Sequence, residues 1–62
     1  MKIEAEERTP KELKELMEKI DREEHDIERK HSWADYVLCQ TLKALGYGEA
    51  VDIFDNMNKW YA

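Results

Sequence analysis

The chain has 62 residues, of which 40% are charged and 42% apolar, with one cysteine and a formal net charge of −5. A chain this short is one domain at most and buries only about 60% of its extended surface on folding, so its own core leaves it marginal. Self-association is the expected remedy, because one cysteine excludes an intrachain disulfide framework and no CxxC or Cys/His cluster offers a structural zinc.

No run approaches the roughly 18 apolar residues of a membrane span, and Met1-Lys2-Ile3-Glu4-Ala5-Glu6-Glu7 is too acidic for a signal peptide. A soluble, cytosolic protein is expected. The negative charge disfavours nucleic-acid polymers and anionic membranes and suits a basic partner surface. The acidic excess is not concentrated: residues 1–30 carry eleven acids against eight bases, a mixed solvated surface rather than a DNA-like array.

In chain order, residues 1–8 carry no helix or strand signal and read as a flexible, frayed arm ahead of a single helical domain over 9–62. Thr9-Pro10-Lys11-Glu12 then has the form of a helix start. Thr9 is the N-cap, Pro10 sits at the first helical position, and Glu12 completes a capping box. Leu13, Leu16, Met17 and Ile20 fall on one narrow stripe that covers a single neighbour. No glycine or proline lies between Pro10 and Gly46, so one helix of about 35 residues and roughly 50 Å is physically allowed. The alternative is a break: Asp21-Arg22-Glu23-Glu24 resembles a second capping box, so the first helix can stop near Ile20 and a second restart by about Glu24.

In the second helix Ile27, Ala34, Val37, Leu38, Thr41, Leu42 and Leu45 define an apolar face that Trp33 and Ala44 widen to about half the circumference. So wide an arc implies two neighbours. Leu45-Gly46-Tyr47-Gly48 closes this helix, with Gly46 at the left-handed position. A third helix from about Glu49 to Trp60 carries Ala50, Val51, Ile53, Phe54, Met57, Trp60 and Tyr61 on one side. Lys59 falls in its last turn, in accord with the helix dipole. The fold class is all-α: a small three-helix arrangement, or a helical hairpin with a long helix, with helices 2 and 3 antiparallel across Gly46–Gly48.

His31-Ser32-Trp33-Ala34-Asp35, Leu38-Cys39, Leu45-Gly46-Tyr47-Gly48 and the terminal Lys59-Trp60-Tyr61-Ala62 together resemble a group of short, uncharacterised phage and prophage proteins of Gram-positive bacteria. The resemblance covers residues 31–62. It brings no catalytic residues. It implies a genomic context in which small acidic proteins inhibit host or defence proteins or sequester a signalling ligand.

All six aromatic residues lie in the last thirty positions. Tyr47, Phe54 and much of Trp60 are expected as core, whereas Trp33, Tyr36 and Tyr61 are left over. Large exposed aromatics mark interfaces, so Trp33, Tyr36, Trp60 and Tyr61 are the candidate contact residues, first for a homo-oligomer seam. A second reading is a nucleotide-like ligand stacked on Trp33, Tyr36 or Trp60, with Arg29, Lys30 or Lys59 meeting its phosphate.

Glu28, His31, Asp35 and Cys39 form a ridge on the second helix. His31 and Cys39 are about 12 Å apart along a helix, too far to share a metal. Glu28 with His31, or His31 with Asp35, can chelate at helical spacing, but a complete site needs further ligands from His25 or a second subunit. The plainer reading is a hydrogen-bonded His31–Asp35 pair, and Cys39 as a small packing residue. The paired carboxylate elements by which all-α nucleotide pyrophosphohydrolases hold magnesium are not evident. The expectation is a non-catalytic binding protein without a cofactor. The alternative is a metal-dependent phosphohydrolase-like enzyme built across a subunit interface from Glu28, His31 and Asp35.

Overall fold

Thr9 starts the first helix as its spacing predicts. In a computed structural model that describes residues 3–57, α1 spans Pro10–Glu23, α2 spans Ile27–Ala44 and α3 spans Gly48–Asn56. The Thr9 hydroxyl accepts from the Glu12 N–H at 3.1 Å, and Glu12 accepts from the Thr9 N–H at 2.8 Å. The Thr9 backbone N–H, and after it the Thr9 side chain, hold the Glu12 carboxyl below its usual value of 4.5.

The chain breaks between α1 and α2, but three residues later than the Asp21–Glu24 pattern suggests. Glu24 takes an extended conformation and ends α1, and its carboxylate accepts from the Asp26 N–H at 3.1 Å. Asp26 is the cap that starts α2, accepting from the Arg29 N–H at 3.0 Å. A short acidic side chain followed by Ile27 nucleates the new helix better than Asp21 does, because Asp26 leaves its own backbone extended. The continuous helix is therefore not formed.

At its other end α2 closes as expected. Gly46 has φ +97, its N–H donates to the Lys43 carbonyl at 3.1 Å, and the Tyr47 N–H donates to the Leu42 carbonyl at 2.9 Å. These are the two bonds of a Schellman motif. The turn folds α3 back to pack against α2. Met57 takes an extended conformation and ends α3 at Asn56, short of the expected Trp60. Lys59, Trp60 and Tyr61 lie outside the described residues.

α1 and α3 each pack on α2 and not on one another, so α2 is the centre of the molecule. Ile20 of α1 is buried, with Leu13, Leu16 and Met17 half-buried. From α2, Val37 and Thr41 are buried as expected, but so is Cys39, on the opposite side of the helix. Cys39 packs with Val51 and Ile3, flanked by Tyr36 and Phe54. The expected core face is thus rotated. Ile27, Leu38, Leu42 and Leu45 are exposed, because the neighbours of α2 sit to either side of that stripe and not over it.

The arm expected to fray supplies the missing cover in its described part. Residues 3–9 cross α2 opposite the apolar stripe, and the chain's third residue enters the core: Ile3 is buried. Lys43 Nζ donates to the Ile3 carbonyl at 2.8 Å, and the Glu6 N–H donates to the Gln40 carbonyl at 3.1 Å. Arg8 donates to the Val37 carbonyl at 3.3 Å, the Thr41 hydroxyl at 3.1 Å and Gln40 Oε1 at 2.9 Å. The Thr41 hydroxyl in turn donates to the Val37 carbonyl at 3.1 Å, so this buried polar group is satisfied.

Two aromatic assignments change with this packing. Tyr36, expected to be left over, is half-buried against the Ile3–Cys39–Val51 cluster because the arm covers its side of α2. Tyr47, expected as core, is 57% exposed because the Schellman turn uses its backbone and leaves its ring outside. Phe54 packs against the core as expected.

Candidate functional site: the open face of the central helix

With α1, the arm and α3 placed, one side of α2 remains uncovered. Ile27, His31, Ala34, Leu38, Leu42 and Leu45 recur along it at intervals of three and four, which puts them on a single stripe of about 27 Å. Ile27 is 73% exposed and Leu45 67%. Ala50 and Ile53 on α3, with Met57 just past its end, form a second exposed row, with Ile53 at 63%. Single exposed apolar residues are ordinary, but two rows on neighbouring helices make a patch.

Between the rows runs a groove of about 340 Å³ lined by Asp35, Leu38, Cys39, Leu42, Ala50, Val51 and Phe54. Six of these seven residues are apolar, and the exception is informative. Asp35 Oδ2 is buried and has no hydrogen-bond partner among the described residues. An acceptor left this way costs about 1–3 kcal/mol, more if charged. The expected His31–Asp35 hydrogen bond is not formed among the described residues. His31 stands exposed one turn before Asp35 on the same stripe.

A second concavity lies near the start of α2. Glu24, Arg29, Ser32, Trp33 and Tyr36 line a surface groove of about 380 Å³. It gathers three of the six contact residues expected from sequence, Arg29, Trp33 and Tyr36. The other three, Lys59, Trp60 and Tyr61, fall outside the described residues. Helical spacing explains the gathering, since residues three and four apart share a face. Trp33 is 38% exposed and lines the groove together with Arg29. Lys30, the other basic candidate here, is engaged by Asp21 at 3.1 Å.

The metal alternative receives no completed ligand set. Among the described residues no three His, Cys, Asp or Glu side chains come together so as to hold a metal ion. Glu28 and His31 are exposed, whereas Asp35 turns into the apolar groove. Cys39 is buried in the core beneath that groove, as its packing role requires. No described helix is long and apolar enough to cross a membrane.

What sequence reasoning missed is the stripe itself as a surface. Its apolar residues were assigned to the core, and the signal that would have freed them lies in the arm. Ile3 and Arg8 are an apolar residue and a multidentate donor five positions apart, a pattern suited to docking rather than fraying. Compared with family models, with curated proteins and with solved structures, the chain matches none.

Proposed function

We propose that this chain is a small non-catalytic binding protein that self-associates through the open α2–α3 face and acts by occupying a partner protein or a nucleotide-like ligand. The observation that carries this reading is the double row of exposed apolar residues, Leu38 and Leu42 on α2 with Leu45 at its cap, and Ile53 on α3 with Met57 at its cap. Among the described apolar residues of this 62-residue chain only Ile3, Ile20, Val37, Cys39 and Val51 are buried. Covering the open face with a second copy adds the burial that a lone chain of this size lacks.

The nucleotide-like ligand is supported by the groove at Arg29, Ser32, Trp33 and Tyr36, which combines a stacking surface with a guanidinium and two hydroxyls. Sequestration through such a groove agrees with the anti-defence role that the resemblance to short phage proteins implies. A metal-dependent phosphohydrolase would require Glu28, His31 and Asp35 to be completed by a second subunit, and zinc or manganese titration with a His31→Ala-sensitive signal would favour it.

Sedimentation equilibrium tests the main reading. At about 100 μM, well above a typical specific Kd, the expected mass is at least twice the 7.5 kDa of the chain, and Leu38→Lys should return it to the monomer. A 7.5 kDa species for the unaltered protein overturns self-association.

A further inference from the structure

We infer that residues 3–8 form a latch that opens and recloses by itself while α1, α2 and α3 stay folded, and that its opening brings the Cys39 thiol to solvent. The latch is independent of self-association, because the arm crosses α2 opposite the open stripe.

The span is anchored at its two ends. Ile3 is its one buried side chain, seated against Cys39 and Val51, and its carbonyl accepts from Lys43. Arg8 ties the other end to Val37, Gln40 and Thr41. Glu4, Ala5, Glu6 and Glu7 between the anchors are exposed, and their backbone meets α2 through the bond from the Glu6 N–H to the Gln40 carbonyl. A segment with so little buried apolar surface and so exposed a backbone belongs to the low-stability end of a structure, where opening is local rather than global.

The boundary with the helices is sharp. Thr9 exchanges its hydrogen bonds with Glu12, inside α1, so the hinge falls between Arg8 and Thr9 and the start of α1 survives release. Release also strands no buried polar group. The Thr41 hydroxyl keeps its bond to the Val37 carbonyl. Gln40 and Lys43 are half-buried and pass to water, with Asp52 3.9 Å from the Lys43 ammonium. What opening uncovers is the apolar seat of Ile3, and with it the sulfur of the chain's single cysteine. The closed state thus rests on the Ile3 seat and the Arg8 fork.

Amide exchange of the full chain, followed by NMR, tests the latch, with labelling of Cys39 as a second reading. The Glu6 N–H should be less protected than the α2 amides of residues 37–41, and its exchange should not respond to low urea, whereas theirs should rise with urea. Cys39 labelling, in which the thiolate attacks an aromatic disulfide reagent and one thionitrobenzoate leaves, should show the same insensitivity to urea. Ile3→Ala should raise both rates about tenfold or more. Ile20→Val, a truncation on the α1 side of the core, should speed the α2 amides and leave the Glu6 and Cys39 rates unchanged. If Ile3→Ala loses helix content by circular dichroism, Ile3→Val should give the same ordering with a smaller rise. A Glu6 N–H that exchanges only together with the α2 amides overturns the latch, and so does equal acceleration by Ile20→Val. Cys39 labelling that the Ile3 variants leave unchanged overturns it too, since the thiol would then be reached from the groove and not from beneath the arm.

Discussion

Lys43 Nζ donates to the backbone carbonyl of Ile3 at 2.8 Å, across forty positions of chain. That bond and the burial of the Ile3 side chain against Cys39 and Val51 make the N-terminal arm part of the core. Deleting the side chain should therefore act as a core truncation. Ile3→Ala is expected to destabilise by about 2–3 kcal/mol, whereas Ile27→Ala on the open stripe should change unfolding by less than about 0.5 kcal/mol in the monomer. Urea denaturation of both variants at low concentration measures the difference. Equal midpoints would show that the arm contributes nothing.

Arg8 binds α2 at three acceptors, the Val37 carbonyl, the Thr41 hydroxyl and Gln40 Oε1. The planar guanidinium spans them because its two terminal nitrogens diverge, a geometry that an ammonium does not share. Arg8→Ala should cost about 1–3 kcal/mol, and Arg8→Lys should recover little of it. Near-complete recovery by lysine would mean that charge, rather than the fork, holds the arm.

The local signals of this fold were legible where one residue type has one physical use. Thr9 with Glu12 gave the start of α1, and Gly46 gave the end of α2. The second cap was misplaced because Asp21 and Asp26 are chemically alike, and only the chain's exit direction after Glu24 separates them. The orientation of α2 was not legible at all. Its apolar periodicity allows more than one face to be core, and the choice depends on where Ile3 and Arg8 dock, at a sequence distance that no helical period encodes. The candidate site followed from that choice. Trp33 and Arg29 stayed on the surface as expected, while Tyr36 was drawn inward by the arm.

Gly46 has φ +97, and a Cβ added there would meet nothing within 4 Å. The cost of replacing it is therefore conformational and not steric with a neighbour. Gly46→Ala should destabilise by about 1 kcal/mol, and Gly46→Asn by less, because asparagine enters the left-handed region more readily. Thermal unfolding ranks the two. An alanine variant as stable as the parent would show that the turn between α2 and α3 tolerates another geometry.

Glu12 sets a pH dependence whose sign follows from its hydrogen bonds. The Thr9 N–H, then the Thr9 hydroxyl interaction, hold its carboxyl below the usual 4.5, with a smaller contribution from the Arg8 charge. A group whose folded value is depressed contributes stability above its unfolded value and loses it as the pH falls through the folded one. The start of α1 should thus be fully capped above about pH 5 and should fray progressively below 4.5. Glu12→Gln should flatten that portion of the profile, and Thr9→Ala should lower stability by about 1 kcal/mol while removing only the hydroxyl's part of the depression, because the backbone N–H at position 9 remains. Helicity followed by circular dichroism from pH 7 to pH 3 reads both. An acid transition identical in Glu12→Gln and the parent would assign it to other carboxylates and not to the capping box.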